Sequence, residues 1–180
     1  QDPTDDPKRQ LKPDNEIRRV VLCSGKVYFD LYEERELRKA YDVYLMRIEQ
    51  FYPFPHNVLT NDLRRFQNAD IIWCQEEPRN MGAWSFIRDR LDSVLSEINH
   101  QYIQPKYVGR VEAASPATGL MKKHIAEQTA LVDDALTIPK NESKRRAVSN
   151  KVPTKRLIQK PKKKPTAKTA AKASPRRRSS

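Results

Sequence analysis

Two adjacent carboxylates, Glu76 and Glu77, are the residues whose type and spacing most readily suggest chemistry. They follow an apolar run at residues 71–74 and precede Arg79 and Asn80, in a turn that leads into an amphipathic stretch. A carboxylate pair performs general acid and base catalysis only where its surroundings push the two pKa values apart. In the alternative, the pair hydrogen-bonds loop amides, caps the next helix or meets Arg79. We favour this structural role.

A second candidate is the turn Ser24-Gly25-Lys26, which follows the apolar run at residues 20–23 and precedes a helical pattern. Backbone N–H groups at such a junction, the helix dipole and the lysine charge all favour an anion such as phosphate or carboxylate. The complete phosphate-loop pattern is absent. In the alternative, Ser24 caps the helix, Gly25 permits a tight turn and Lys26 faces solvent.

A third turn, at residues 115–119, contains small residues and precedes the last helical pattern, with Lys122 and Lys123 in its first turns. It suits either backbone contact with a ligand or helix capping by Ser115 or Thr118.

The remaining reactive side chains indicate neither a metal site nor a nucleophile. The three histidines lie on separate segments without ligand spacing, so no metal site is predicted. Cys23 and Cys74 each lie inside an apolar run. We expect two reduced, buried thiols, with a disulfide as the less favoured alternative.

The elements that must position these turns alternate between strand and helix four times. Continuous apolar runs are typical of strands buried on both faces, and long connections leave room for crossover helices. The pattern predicts an α/β three-layer sandwich around a mostly parallel sheet. The expected strands cover residues 20–23, 43–48, 71–74 and 104–111, and the expected helices follow them, the last with an apolar face from Leu120 to Ala135.

Charge divides the chain into three regions. We expect a linker at residues 1–15, one domain at residues 16–136 and a disordered tail at residues 137–180. The first 136 residues hold 19 basic and 22 acidic side chains, whereas the tail holds 16 basic and one acidic. The basic character therefore belongs to the tail, and the domain itself is not predicted to bind nucleic acid.

The tail has no aromatic residue and five prolines, so it buries too little apolar surface to fold. It would neutralise nucleic-acid phosphates without reading bases. A solvated tail without a partner is the alternative. No apolar run approaches the ~18 residues that cross a bilayer, so no membrane association is expected. The lysines and arginines that would contact nucleic acid include Lys162, Lys163, Lys164, Arg176, Arg177 and Arg178.

Five blocks of sequence resemble one family, in the same order along the chain. They are RRVVLCSGKVYFDLYEER (residues 18–35), RIEQFYPFP (47–55), WCQEEPRNMGAW (73–84), YVGRVEAASPATG (107–119) and MKKHIAEQTALVDDAL (121–136). The domain resembles the carboxyl-terminal domain of the E1 component of the 2-oxoglutarate dehydrogenase complex, the thiamine-diphosphate-dependent enzyme of the citric acid cycle. The tail departs from the family pattern, since members tend to end near Leu136, and its composition is similar to that of histone-like tails.

The resemblance implies a transketolase-like carboxyl-terminal domain that forms a homodimer and takes part in regulation by nucleotide-type anions. In the parent enzyme, earlier domains bind thiamine diphosphate and Mg²⁺, 2-oxoglutarate is decarboxylated, and the succinyl group passes to lipoyl-E2. This chain lacks the Gly-Asp-Gly and Asn cofactor motif. We therefore expect a chain without its own cofactor and not catalytic by itself, a fragment of a larger E1 in the bacterial cytoplasm or the mitochondrial matrix. The alternative is a stand-alone binding protein whose basic tail contacts nucleic acid.

Overall fold

The computed structural model describes residues 11–138, which form one four-stranded sheet with helices on both faces. The strands are ordered β2-β1-β3-β4, and every neighbouring pair is parallel. The elements are β1 (Arg19–Cys23), α1 (Val27–Arg38), β2 (Val43–Arg47), α2 (His56–Leu63), β3 (Asp70–Gln75), α3 (Trp84–Glu97), β4 (Lys106–Gly109) and α4 (Met121–Leu136), with 3₁₀ turns at Asp14–Glu16 and Arg64–Phe66. The predicted α/β class is confirmed.

The strands form where the sequence carries continuous apolar runs. β1 and β3 are buried along their whole length because they lie in the middle of the sheet, between helices on both faces. β4 is shorter than the predicted strand at residues 104–111. Because β4 lies at the edge of the sheet, its residues are at most partly buried. Its first and last residues are therefore hard to predict from hydrophobicity.

Alternation along the strands divides the core into two layers. Val20 and Leu22 of β1 face α2 and α3, whereas Val21 and Cys23 face α1 and α4. The result is the three-layer sandwich predicted from the sequence. Leu11 also packs against the first of these layers, although residues 1–15 were predicted to be a linker.

The amino-terminal edge of the sheet is closed by a buried ion pair. Arg19 Nη2 lies 2.9 Å from Asp70 Oδ2, and both side chains are almost fully buried. Arg19 Nη1 also donates to the carbonyl oxygens of Asp134, Ala135 and Thr137, at 3.0, 3.1 and 2.8 Å. Because these carbonyls lie at the end of α4, the arginine joins the last helix to the first strand.

Helix α4 buries only part of its predicted apolar face. Leu131 and Ala135 are 3% and 0% exposed. Towards the start of the helix, Leu120, Met121 and Ile125 are 71%, 72% and 57% exposed. The amino-terminal half of α4 therefore leaves apolar side chains uncovered.

Cys23 and Cys74 are free, buried and paired in register on β1 and β3. Burial raises the pKa of the Cys74 thiol, so it stays protonated and is a poor nucleophile. The expectation of buried, reduced thiols agrees with this arrangement. Among residues 11–138, no helix is both long and apolar enough to cross a membrane.

Candidate functional site

The two predicted turns meet in a crevice at the carboxyl edge of the sheet. The connection after β1 leads to β2 on one side, and the connection after β3 leads to β4 on the other side, so the two connections diverge at the carboxyl ends of these neighbouring strands. Ligands of open α/β sheets usually bind at such a switch point. The cavity has a volume of about 560 Å³ and is lined by Ser24, Gly25, Lys26, Phe51, Tyr52, Trp73, Gln75, Glu76, Glu77, Gly82, Ala83 and Phe86.

The turn after β1 already holds a carboxylate from the chain itself. Gly25, whose φ of 73° is readily adopted by glycine, donates its N–H to Glu49 Oε1 at 3.1 Å. Ser24 Oγ lies 3.5 Å from Glu49 Oε2, and Arg47 Nε donates to Oε1 at 2.9 Å. Burial opposes the ionisation of Glu49, but the Gly25 N–H and Arg47 outweigh it and hold the pKa of Glu49 below its usual value.

Lys26 forms an ion pair with Asp30, which lies one turn further along helix α1. Its Nζ lies 2.9 Å from Asp30 Oδ2, and its side chain is mostly exposed. The hydrogen bond and the charge of Asp30 raise the pKa of Lys26. An external anion at Ser24-Gly25-Lys26 would therefore compete with Glu49 and Asp30, and the anion site stays a prediction.

Gln75, which the sequence reasoning did not single out as a site residue, organises the turn after β3. Its Oε1 accepts from Trp73 Nε1 at 2.9 Å and from the Trp84 N–H at 3.0 Å. Its Nε2 lies 3.2, 3.2 and 2.7 Å from the carbonyl oxygens of Glu77, Pro78 and Met81. The sequence does contain a signal for this role: Gln75 is a polar residue at the end of an apolar strand. If such a strand is buried, its polar side chain must be hydrogen-bonded.

Gly82 closes the same turn. Its φ is 66°, and a Cβ at this position would lie 2.9 Å from Gln75 Nε2 and 3.0 Å from the Glu77 side chain. The turn therefore requires a glycine in both its backbone conformation and its packing.

Arg79 and Asn80 do not line the crevice and contact the next loop instead. Asn80 donates to the Ala113 carbonyl at 3.0 Å and accepts from the Ala113 N–H at 3.1 Å. The Arg79 guanidinium lies 5.5 Å from the ring centroid of Tyr107. Burial raises the pKa of Tyr107 to about 12, so its hydroxyl stays protonated and donates to the turn, 3.1 Å from the Glu77 carbonyl and 2.9 Å from that of Arg110.

The three histidines lie apart from the crevice. His56 Nε2 lies 2.7 Å from Glu97, and His100 Nε2 lies 3.0 Å from the Phe66 carbonyl oxygen. His124 Nδ1 lies 3.0 Å from Arg110 Nη2. None of them provides Glu76 or Glu77 with an acid or base partner in the crevice.

Within the part of the chain that the structure describes, no group of three or more His, Cys, Asp or Glu could hold a metal ion. The crevice presents two carboxylates, and its lysine is already paired. These residues do not fit a diphosphate with its Mg²⁺.

The geometry thus defines a parallel α/β domain with a crevice at the switch point of its sheet. A family model described as "2-oxoglutarate dehydrogenase C-terminal" matches residues 1–136. The chain belongs to this family, which confirms the resemblance found in the sequence.

Similar curated proteins support the same family. Each is a "2-oxoglutarate dehydrogenase E1 component", from Brucella anthropi, Brucella ovis and Brucella melitensis, and each is 60% identical over 127 residues. The match covers 71% of this chain but only 13% of each relative. The basic residues of the tail lie beyond the family match and outside the described residues, so contact with nucleic acid stays a prediction.

Proposed function

We propose that this chain acts as the dimerisation and regulatory domain at the carboxyl terminus of a 2-oxoglutarate dehydrogenase E1 component. Thiamine diphosphate and Mg²⁺ would be bound by other domains, which would decarboxylate 2-oxoglutarate and pass the succinyl group to lipoyl-E2. Two facts support this division of labour: the chain spans 13% of its E1 relatives, and the described residues that line its crevice include no metal-binding set.

The observation that carries the dimerisation proposal is the uncovered half of α4. Leu120, Met121 and Ile125 are more than half exposed, and Val111, in the loop leading towards α4, is 80% exposed. Apolar side chains that cluster on one element favour association, since covering them removes apolar surface from water. We propose that a second copy of the domain covers this surface.

The test is the mass of the full chain in solution, measured by light scattering during size-exclusion chromatography. Ile125→Glu places a charge on the proposed interface and should convert dimer to monomer. Val58→Glu is the matched control: Val58 is 56% exposed, against 57% for Ile125, but it lies on α2, across the sheet from α4. A wild-type chain that stays monomeric at high concentration, or equal dissociation by both variants, contradicts the proposal.

The regulatory part of the proposal concerns the crevice. The Gly25 N–H and the positive end of α1 hold the Glu49 carboxylate, which supports the turn as a place where an anionic effector could compete. The aromatic side chains of Phe51, Tyr52 and Phe86 line the same cavity and suit a planar ring. A nucleotide-type anion combines these two features.

Calorimetric titration of a nucleoside monophosphate into the full chain tests this part. Lys26→Ala should weaken binding, because it removes a positive charge from the crevice. Lys12→Ala removes an exposed lysine outside the crevice and should leave the affinity unchanged. Equal affinities for wild type and Lys26→Ala exclude Lys26 from the site.

A further inference from the structure

A second cavity lies beside the crevice, between the loop after β4 and the first turns of α4. Its volume is about 390 Å³, and it shares no lining residue with the crevice. Its charged and polar side chains are those of Arg110, Glu112, Ser115, Thr118, Lys123 and Glu127, and Glu112 is exposed to solvent.

Arg110 contributes a buried positive charge to this cavity. Its side chain is 8% exposed, and Nη2 lies 3.0 Å from His124 Nδ1 and 3.4 Å from Gln128 Oε1. Its Nε has no hydrogen-bond partner among the described residues and lies 3.4 Å from Glu127 Oε2. A buried N–H without a hydrogen bond is costly, so a closer acceptor would be stabilised there.

The start of α4 adds a second source of positive potential. The helix is 16 residues long, Leu120 precedes it, and no side chain caps it. Capping by Ser115 or Thr118, one alternative from the sequence, is wrong: Ser115 Oγ donates to the Ala117 carbonyl and Thr118 Oγ1 to Glu127. The first-turn N–H groups of a helix without a cap remain available to an anion.

In the structure, the carboxylate of Glu127 is the negatively charged partner of Arg110 and Lys123. Its Oε2 accepts from Thr118 Oγ1 at 2.5 Å, and Lys123 Nζ lies 3.6 Å from Oε1. The Thr118 hydroxyl, then Lys123 and Arg110, hold the pKa of Glu127 below its usual value. Glu127 is a residue of α4 itself, and its side chain can rotate to solvent without moving the helix.

We propose that this cavity is a binding site for a small oxyanion, a phosphate or a carboxylate, which takes the place of the Glu127 carboxylate between Arg110, Lys123 and the start of α4. The charged partners favour an oxyanion, since hydrogen bonds between ionised groups are roughly twice as strong as neutral ones. The site lies apart from the crevice and does not depend on the proposed E1 function.

The experiment is an NMR titration of the isotope-labelled full chain with inorganic phosphate, and separately with malonate, at constant ionic strength. The amide signals of Met121, Lys122 and Lys123 should shift to saturation with at least one of the two anions. This residue-specific readout separates the site from phosphate held by the basic tail. Linear, unsaturated shifts with both anions overturn the proposal.

Variants sharpen the test. Glu127→Gln removes the internal competitor and should tighten binding by up to about fivefold, the upper end of what one exposed ion pair contributes. Arg110→Met should abolish saturation, and Lys122→Met, outside the cavity, is the control with the same loss of charge. In case Arg110→Met does not fold, the exposed Lys123→Ala should weaken binding several-fold. Affinities that are unchanged in Glu127→Gln and Lys123→Ala also overturn the proposal.

Discussion

Replacing Gln75 with leucine should destabilise the domain more than any change at the exposed rim of the crevice. Gln75 is 3% exposed, and its two Nε2 N–H donors are shared among three carbonyl oxygens, so the side chain has five hydrogen-bond contacts. Three of them are buried: those from Trp73 and Trp84 and that to the Pro78 carbonyl. Each buried group left without a partner costs about 1–3 kcal/mol, so three such groups predict a loss of at least about 3 kcal/mol in the free energy of unfolding.

Urea unfolding followed by tryptophan fluorescence measures this loss directly, because the chain has two tryptophans and both donate to Gln75. Gln50→Leu is the matched control, since Gln50 is exposed and its side chain donates to the Pro53 carbonyl at 2.9 Å. We expect the control to change the free energy by less than about 0.5 kcal/mol. Equal losses for the two variants, or a loss below about 1 kcal/mol for Gln75→Leu, would refute the role given to Gln75.

Three further predictions concern other parts of the chain. Gly82→Ala should lower the free energy of unfolding in urea by about 1–3 kcal/mol, because Gly82 has a positive φ and a Cβ there would contact Gln75. Gly119→Ala is the control and should be nearly neutral, since a Cβ at that position meets nothing within 4 Å. Equal effects of the two variants would contradict this prediction. The pKa of Glu49 is lowered in the folded state, so its ionisation stabilises the fold above its unfolded pKa of about 4.3, and this stabilisation is lost as the pH falls through the folded pKa. Wild type should therefore exceed Glu49→Gln in stability at pH 7, and the difference should shrink on acidification; a gap that does not depend on pH counts against the ionised contact with Gly25. Removing residues 139–180 should abolish retention on immobilised DNA, and retention of the full chain should fall steeply with added salt; binding that survives truncation excludes the tail as its cause.

The order and type of the main elements follow from the sequence because central parallel strands are buried on both faces. Residues 20–23 and 71–74 are apolar throughout, and β1 and β3 extend beyond these runs by only one or two polar residues. Arg19 and Asp70 belong to the strands because they neutralise each other at the sheet edge. Such a pairing between residues far apart in the chain is invisible to a local pattern.

The sequence singled out both turns that line the crevice, and the topology places them at the same edge of the sheet. The partners within it could not be predicted, because they come from elsewhere in the chain. Glu49, which contacts Gly25, follows β2, and Gln75 is an uncharged residue whose importance lies in its burial. The periodicity of α4 predicted the helix, but it could not reveal that only its second half is covered.

The hydrogen bonds from Arg19 to the last carbonyl groups of α4 fix the position at which this helix ends. Arg19 begins β1, so α4 ends at the amino edge of the sheet, whereas the crevice opens at the carboxyl edge. A five-residue strand spans about 17 Å, so the end of α4 and the crevice lie at opposite edges of the sheet, about this far apart along the strand direction. An affinity tag, fluorophore or surface tether attached directly after residue 138 would thus start from the side opposite the crevice, and ligand binding can be measured on a chain immobilised at that point.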